Sequence, residues 1–251
     1  MTAKNSQRKD GDTGELLPLD SPERVCCMQD RGPIYRHIFR RITPADWQGF
    51  FLNLRMDAAH GDAPIVGMEA ASLRLYLDAI VRAEGCEMPD GRKPEEQPGW
   101  PTCIPRGHRL LAVDLLLNVT SSAGKPVVTD AKGLSVYVDA LWGEGDPPGS
   151  VKKYFGLIHR FRRPTAEHRQ RLVDAGKASF MMAGAFHGKA VLFSSNATLV
   201  ALYDELIETV DGYSVGGLPL GSREQIVREM DIPHKAVSVG QIFPASSGGV
   251  N

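Results

Sequence analysis

Apolar and polar positions alternate from Ile34 to Ile42: Ile34, Ile38 and Ile42 share one parity with Arg36 and Arg40, and Tyr35, His37, Phe39 and Arg41 fill the other. Period-two patterning rich in β-branched and aromatic residues predicts a strand. Thr43-Pro44-Ala45-Asp46 then opens a helix. Thr serves as N-cap, Pro takes the first helical position, and Asp can close a capping box. Trp47, Phe50, Phe51 and Leu54 form its apolar stripe, and the helix is expected to end near His60-Gly61. Ile65-Val66 predicts a short strand. Ala70–Glu84 reads as a second helix with Leu73, Leu77, Ile80 and Val81 on one face and Gly85 beyond its end. His108–Val119 is strongly apolar and reads as a buried strand. Leu134–Leu141 alternates and reads as another.

The same order follows downstream. Val151–Phe161 predicts a strand, and Thr165 caps a helix to about Gly176. Phe180–Met182 and Lys189–Ser194 read as short strands. Asn196 caps a helix over Ala197–Val210, Gly212–Gly221 reads as a loop, and Ser222 with Gln225 starts a short helix to Met230. His234–Phe243 reads as the last strand.

The two passes share wording as well as order. His37-Ile38-Phe39-Arg40-Arg41-Ile42-Thr43 returns as His159-Arg160-Phe161-Arg162-Arg163-Pro164-Thr165, at an offset of 159 − 37 = 122. Ala71-Ser72-Leu73 returns as Ala197-Thr198-Leu199, and Ile104-Pro105 before His108 is echoed by Ile232-Pro233 before His234. The last two offsets are 197 − 71 = 126 and 234 − 108 = 126. Ordered blocks at nearly one offset predict an internal duplication with domain-sized units. The expected architecture is α+β: two tandem strand-helix-strand-helix-strand copies, with helices on mostly antiparallel sheets. Residues 1–30 are expected to form a flexible tail, 31–142 the first copy, 143–150 a Gly/Pro-rich linker, 151–244 the second copy and 245–251 a mobile end.

Composition adds few constraints. The 251 residues carry a net charge of −1, which gives the whole molecule no bias toward polyanions. The four cysteines, Cys26, Cys27, Cys86 and Cys103, lack zinc-ribbon spacing and read as reduced thiols in a cytoplasmic setting. Residues 1–24 hold no apolar signal segment, and no apolar run reaches 18 residues, so no membrane partner is expected. The proline-rich stretch 86–107 reads as a long irregular loop, a kind of segment that often carries function.

No phosphate loop, dinucleotide fingerprint, nucleophile elbow or H-E-x-x-H zinc motif occurs, so neither cofactor nor metal is expected. The recurrent histidines suit ordinary packing in strands, although His108 and His234 could feed a site where the copies meet. The duplicated arginines suggest more. Arg40 and Arg41 in the first copy, and Arg160, Arg162, Arg163 and Arg169 in the second, form the candidate binding set. Such a face suits an acidic protein partner or a sister subunit, and nucleic acid less well because no reading motif accompanies it. Charged edge strands also guard against aggregation, which is the plainer reading of the same residues.

The phrase Phe161-Arg162-Arg163-Pro164-Thr165-Ala166-Glu167, on a strand running into a helix, resembles the opening of small phage tail-assembly and tail-accessory proteins. Phe39–Asp46 is similar. The resemblance spans about ten residues in each half and implies a structural or assembly role in a virion or prophage, without catalysis. The expected function is therefore that of a non-enzymatic protein acting through contacts with itself or another protein. An enzyme sited where the copies join, and nucleic-acid binding through the second copy, are the alternatives.

Overall fold

The structure is a computed structural model that describes residues 15–29, 33–57, 65–86, 91–185 and 193–243. The expected tail at 245–251 and all but the last two residues of the expected Lys189–Ser194 strand lie outside them, and those two open a helix. The fold is α+β. The first half contributes β1 (Leu17–Pro18), β2 (Glu23–Gln29), β3 (Ile34–Arg40), α1 (Pro44–Leu52), β4 (Arg55–Asp57), β5 (Ile65–Gly67), α2 (Glu69–Ala79), β6 (Ile80–Glu84) and α3 (Arg106–Leu116). The second contributes β7 (Val119–Ser121), β8 (Val128–Asp130), β9 (Gly133–Glu144), β10 (Val151–Phe161), α4 (Ala166–Ala185), α5 (Phe193–Leu206), β11 (Ile207–Asp211), β12 (Tyr213–Val215), β13 (Leu218–Pro219), α6 (Arg223–Glu229) and α7 (Ile232–Ile242).

One sheet runs β2-β3-β6 and another β11-β10-β9-β7, with β8 also on β9. In both, the strand bearing the His-x-Phe-Arg-Arg phrase is flanked by a strand on each side and antiparallel to both. The third strand of each set, β6 or β11, ends at a glycine with positive φ, Gly85 at 79° or Gly212 at 93°. A side chain at Gly85 would collide with the Ile34 carbonyl, and one at Gly212 would press on Leu157, so both turns need glycine.

Each sheet supports its own apolar core. Phe39, Phe50, Leu75, Tyr76, Ala112 and Val113 are central to the first. Val136, Phe161, Leu202, Tyr203, Ile226 and Val239 are central to the second.

Several expectations are corrected. His108–Val119 and His234–Phe243 are mostly helix, not strand: α3 and α7 each open beside a proline, and α7 buries Ile232, Ala236, Val239 and Ile242 at helical spacing. A dense apolar run fits either state by hydropathy alone, and the burial pattern of one helical face decides it. The two long helices stop earlier than expected, at Ala79 and Leu206. The β-branched runs Ile80-Val81 and Ile207–Val210 leave the helix to pair with β3 and β10. Phe180–Met182 belongs to α4, and the Gly212–Gly221 loop contains β12 and β13.

The predicted tail is also too long. Leu17 and Leu19 are fully buried in the second core, where β1 pairs in parallel with β12, and β2 carries the buried Cys26 and Met28. Gly143–Gly149 turns β9 back onto β10, with Gly145 N–H donating to the Ser150 carbonyl at 2.8 Å, so it lies within a hairpin rather than between units. The 86–107 stretch holds two short 3₁₀ turns, Pro94–Glu96 and Trp100–Thr102. There the Glu95 carboxylate accepts the outward Ala83 N–H of β6 at 2.6 Å, which closes that sheet edge. No helix among the described residues is long and apolar enough to cross a membrane.

Candidate functional site

The Thr43 cap forms as predicted. Its hydroxyl accepts the Asp46 N–H at 3.2 Å, and the Asp46 carboxylate accepts the Thr43 N–H at 2.8 Å. Arg40 grips the same carboxylate through both terminal nitrogens, at 2.6 and 2.8 Å. That bidentate bond, with Thr43, pulls the Asp46 acid down to about 2. Arg41 turns toward the second half, donating to Asp231 at 2.7 Å and to the Glu229 carbonyl. Arg24 joins it from β2, bonding Asp231 at 3.1 and 3.2 Å while its guanidinium lies 4.0 Å over the Trp142 ring. Arg24 is almost fully buried, so Asp231 is its necessary counter-charge. A second tie between the halves runs from Arg36 to Glu144, bidentate at 2.8 and 2.6 Å. The arginine pair of the first half is thus half-buried, and each member is tied to a carboxylate of the molecule itself.

The corresponding residues of the second half face solvent. Arg160, Arg162, Arg163 and Arg169 are all exposed. Arg163 donates to the Asp130 carbonyl at 2.9 Å, and Arg162 is held by its backbone N–H on the Leu206 carbonyl. The guanidinium heads of Arg160, Arg162 and Arg169 meet no carboxylate among the described residues. They lie around the corner where β10 runs into α4. There Thr165 caps the helix with His168 as its reciprocal partner, since His168 Nδ1 accepts the Thr165 N–H at 3.0 Å. The six predicted binding arginines therefore fall into two places, and the second holds the accessible ones.

Beside that corner the outer face of the second sheet carries a solvent-open basin of about 830 Å³. Lys132, Ser135, Arg160, Glu208 and Thr209 line it over Phe161. A narrow cavity of about 20 Å³, room for about one water, lies where the halves meet, walled by Arg24, Ile42, Leu115, Trp142, Asp231 and Pro233. An apolar groove of about 560 Å³ runs between α1 and α5 past Trp47, Phe51 and Val200.

The matched histidines are core residues. His37 Nδ1 and the Tyr76 hydroxyl are 2.9 Å apart, and His159 Nδ1 and the Tyr203 hydroxyl 3.0 Å. In the second half the contacts continue: His159 Nε2 to the Tyr213 hydroxyl at 2.7 Å, and that hydroxyl to His234 Nδ1 at 2.9 Å. Burial pushes His159 well below the usual histidine range and lowers both His37 and His234 to about 4, so these rings are neutral near pH 7. Burial likewise raises Tyr203 and Tyr213. His108 and His234 do not share a site. His108 packs edge-on to Tyr35, with ring centroids 4.6 Å apart and 6.3 Å from His37, whereas His234 lies in the other core. The nearest acid acting on His234, Asp231, is already held by Arg24 and Arg41. Among the described residues no three His, Cys, Asp or Glu side chains come close enough to share a metal ion.

Sequence reasoning missed the tyrosines. Their signal was present: Leu75-Tyr76 and Leu202-Tyr203 stand 203 − 76 = 127 apart, one step from the offset of the neighbouring blocks, as do Gly85 and Gly212. Compared with protein-family models, curated proteins and solved structures, the chain matches none.

Proposed function

We propose that this chain is a structural or assembly protein that works by protein–protein contact, docking an acidic partner surface on the basic corner of its second half. One observation carries the reading: Arg160, Arg162 and Arg169 stand exposed with no counter-charge among the described residues, while Arg40 and Arg41 in the same phrase of the first half are tied down. Cations left unopposed at one corner steer and orient an acidic surface. A second copy of the chain is the first partner to test, and virion or prophage assembly is the setting implied by the Phe161–Glu167 resemblance. The two halves are read as copies of one ancestral unit. The shared middle-strand position, the His–Tyr bonds and the paired glycines support that reading.

Size-exclusion chromatography with light scattering tests the proposal at 50 and 300 mM salt. Expected is a mass above the monomer that falls with salt and with the combined Arg160→Ser, Arg162→Ser and Arg169→Ser substitutions. A strict monomer across the micromolar range at low salt counts against it. Tight oligonucleotide binding with a steep salt slope would replace it with a nucleic-acid reading.

A further inference from the structure

The outer basin of the second sheet has a more specific chemistry than the corner beside it. Ser135 on β9 and Thr209 on β11 are the register partners of Arg160 on β10, so the three form one row across the sheet. Neighbouring strands are about 4.8 Å apart, which puts one hydroxyl-bearing residue on each side of Arg160. All three line the basin, with Lys132 coming in from the β8–β9 turn. That turn is fixed in place. The Asp130 carboxylate accepts the backbone N–H groups of Lys132 and Gly133 at 2.7 and 3.1 Å, and its carbonyl accepts Arg163 at 2.9 Å. Gly133 stays against β10 because a side chain there would collide with the Phe161 carbonyl. Asp130 is thus turned to its own backbone, and Arg163 is anchored at the rim. Glu208 is the other acid in the lining.

We infer that this basin binds a phosphomonoester, its phosphoryl group seated on Arg160 between Ser135 and Thr209, with Lys132 closing over it. A carboxylate offers two oxygens in one plane, enough for the guanidinium fork alone. A phosphoryl group offers three acceptor oxygens and up to two charges, which a row of hydroxyl, guanidinium and hydroxyl with an ammonium above can meet together. The basin opens to solvent, so the group that carries the phosphate can extend outward from it. The inference rests on the basic corner being the docking surface and names what the partner presents there: a phosphorylated side chain, or a free phosphoester competing with it.

The test is a calorimetric titration of the full chain at 50 mM salt with inorganic phosphate, O-phosphoserine and a short phosphoserine peptide. Saturable binding is expected, weakened about tenfold by Arg160→Gln and less by Lys132→Gln. Glu208→Gln should tighten it, because a carboxylate that repels the anion is removed. Binding of the peptide above that of O-phosphoserine assigns the phosphate to a protein partner, and equal binding assigns it to a small phosphoester; both support the site. No saturable heat at millimolar phosphate, or binding indifferent to Arg160→Gln, overturns it. The pair Arg162→Gln and Arg169→Gln, outside the basin, separates the two proposals. If docking is right, these changes weaken self-association or partner binding while phosphate affinity stays within about twofold.

Discussion

His37 and His159 sit on the middle strands of two three-strand arrangements, and each meets a helix-borne tyrosine through Nδ1, at 2.9 and 3.0 Å. A phenylalanine two residues on packs edge-to-face on that tyrosine, with ring centroids 5.5 Å apart in both halves. The halves part at the other ring nitrogen. His159 Nε2 meets Tyr213, whose hydroxyl also meets His234, whereas His37 Nε2 is buried with no hydrogen-bond partner. Among the described residues of the first half, no strand follows β6 to bring such a tyrosine. The arginines diverge in the opposite sense, ion-paired and half-buried in the first half and exposed in the second. One half ties the molecule together through its arginines, and the other carries the longer buried His–Tyr chain and the exposed arginines.

The largest test of that contrast is acid. An unfolded histidine takes up its proton near pH 6.5, but His37 and His234 hold off until about 4. Between those values the unfolded chain binds more protons, so stability falls as pH falls. The loss is on the order of 3 kcal/mol for each of the two rings, and His159 acts in the same direction. Urea unfolding at pH 7.5, 5.5 and 4.5 should show the decline, and a flat profile would mean the rings are solvated.

Next comes the pair His159→Phe and His37→Phe. The first strands the Tyr203 hydroxyl and leaves Tyr213 with His234 alone, and should cost about 2–3 kcal/mol. The second strands one and also removes an unpartnered nitrogen, so about 1 kcal/mol is expected. Equal losses in chemical denaturation would show that Tyr213 adds nothing to the second core.

The smallest effects separate the arginines. Arg41→Ala breaks its bonds to Asp231 and Glu229 and should cost about 1 kcal/mol, whereas Arg162→Ala should stay within about 0.5 kcal/mol. A comparable loss at both positions would remove the distinction between tied and free cations.

Local signals were legible in the chain where one residue decides the geometry. Thr43 with Pro44 and Asp46 gave the helix start, and the alternating Ile34–Arg40 and Val151–Phe161 segments gave the middle strands. Long-range partners were not. Nothing near Leu17 in sequence announces its pairing with Tyr213, and nothing near Arg41 announces Asp231, 190 residues away. α3 and α7 were misread because a dense apolar run lacks period, and only the packed face reveals which state it takes. Of the candidate site, the arginines could be named in advance. Which of them remain exposed depends on carboxylates brought in by other elements.

The parallel pairing of Leu17 with Tyr213 bears on how the molecule is born. Leu17 leaves the ribosome 213 − 17 = 196 residues before the strand that receives it. At ordinary elongation rates this is a wait of roughly 10–40 s. Until then two leucines destined for the later core lack their partner strand, and the second core cannot close before Tyr213 has emerged.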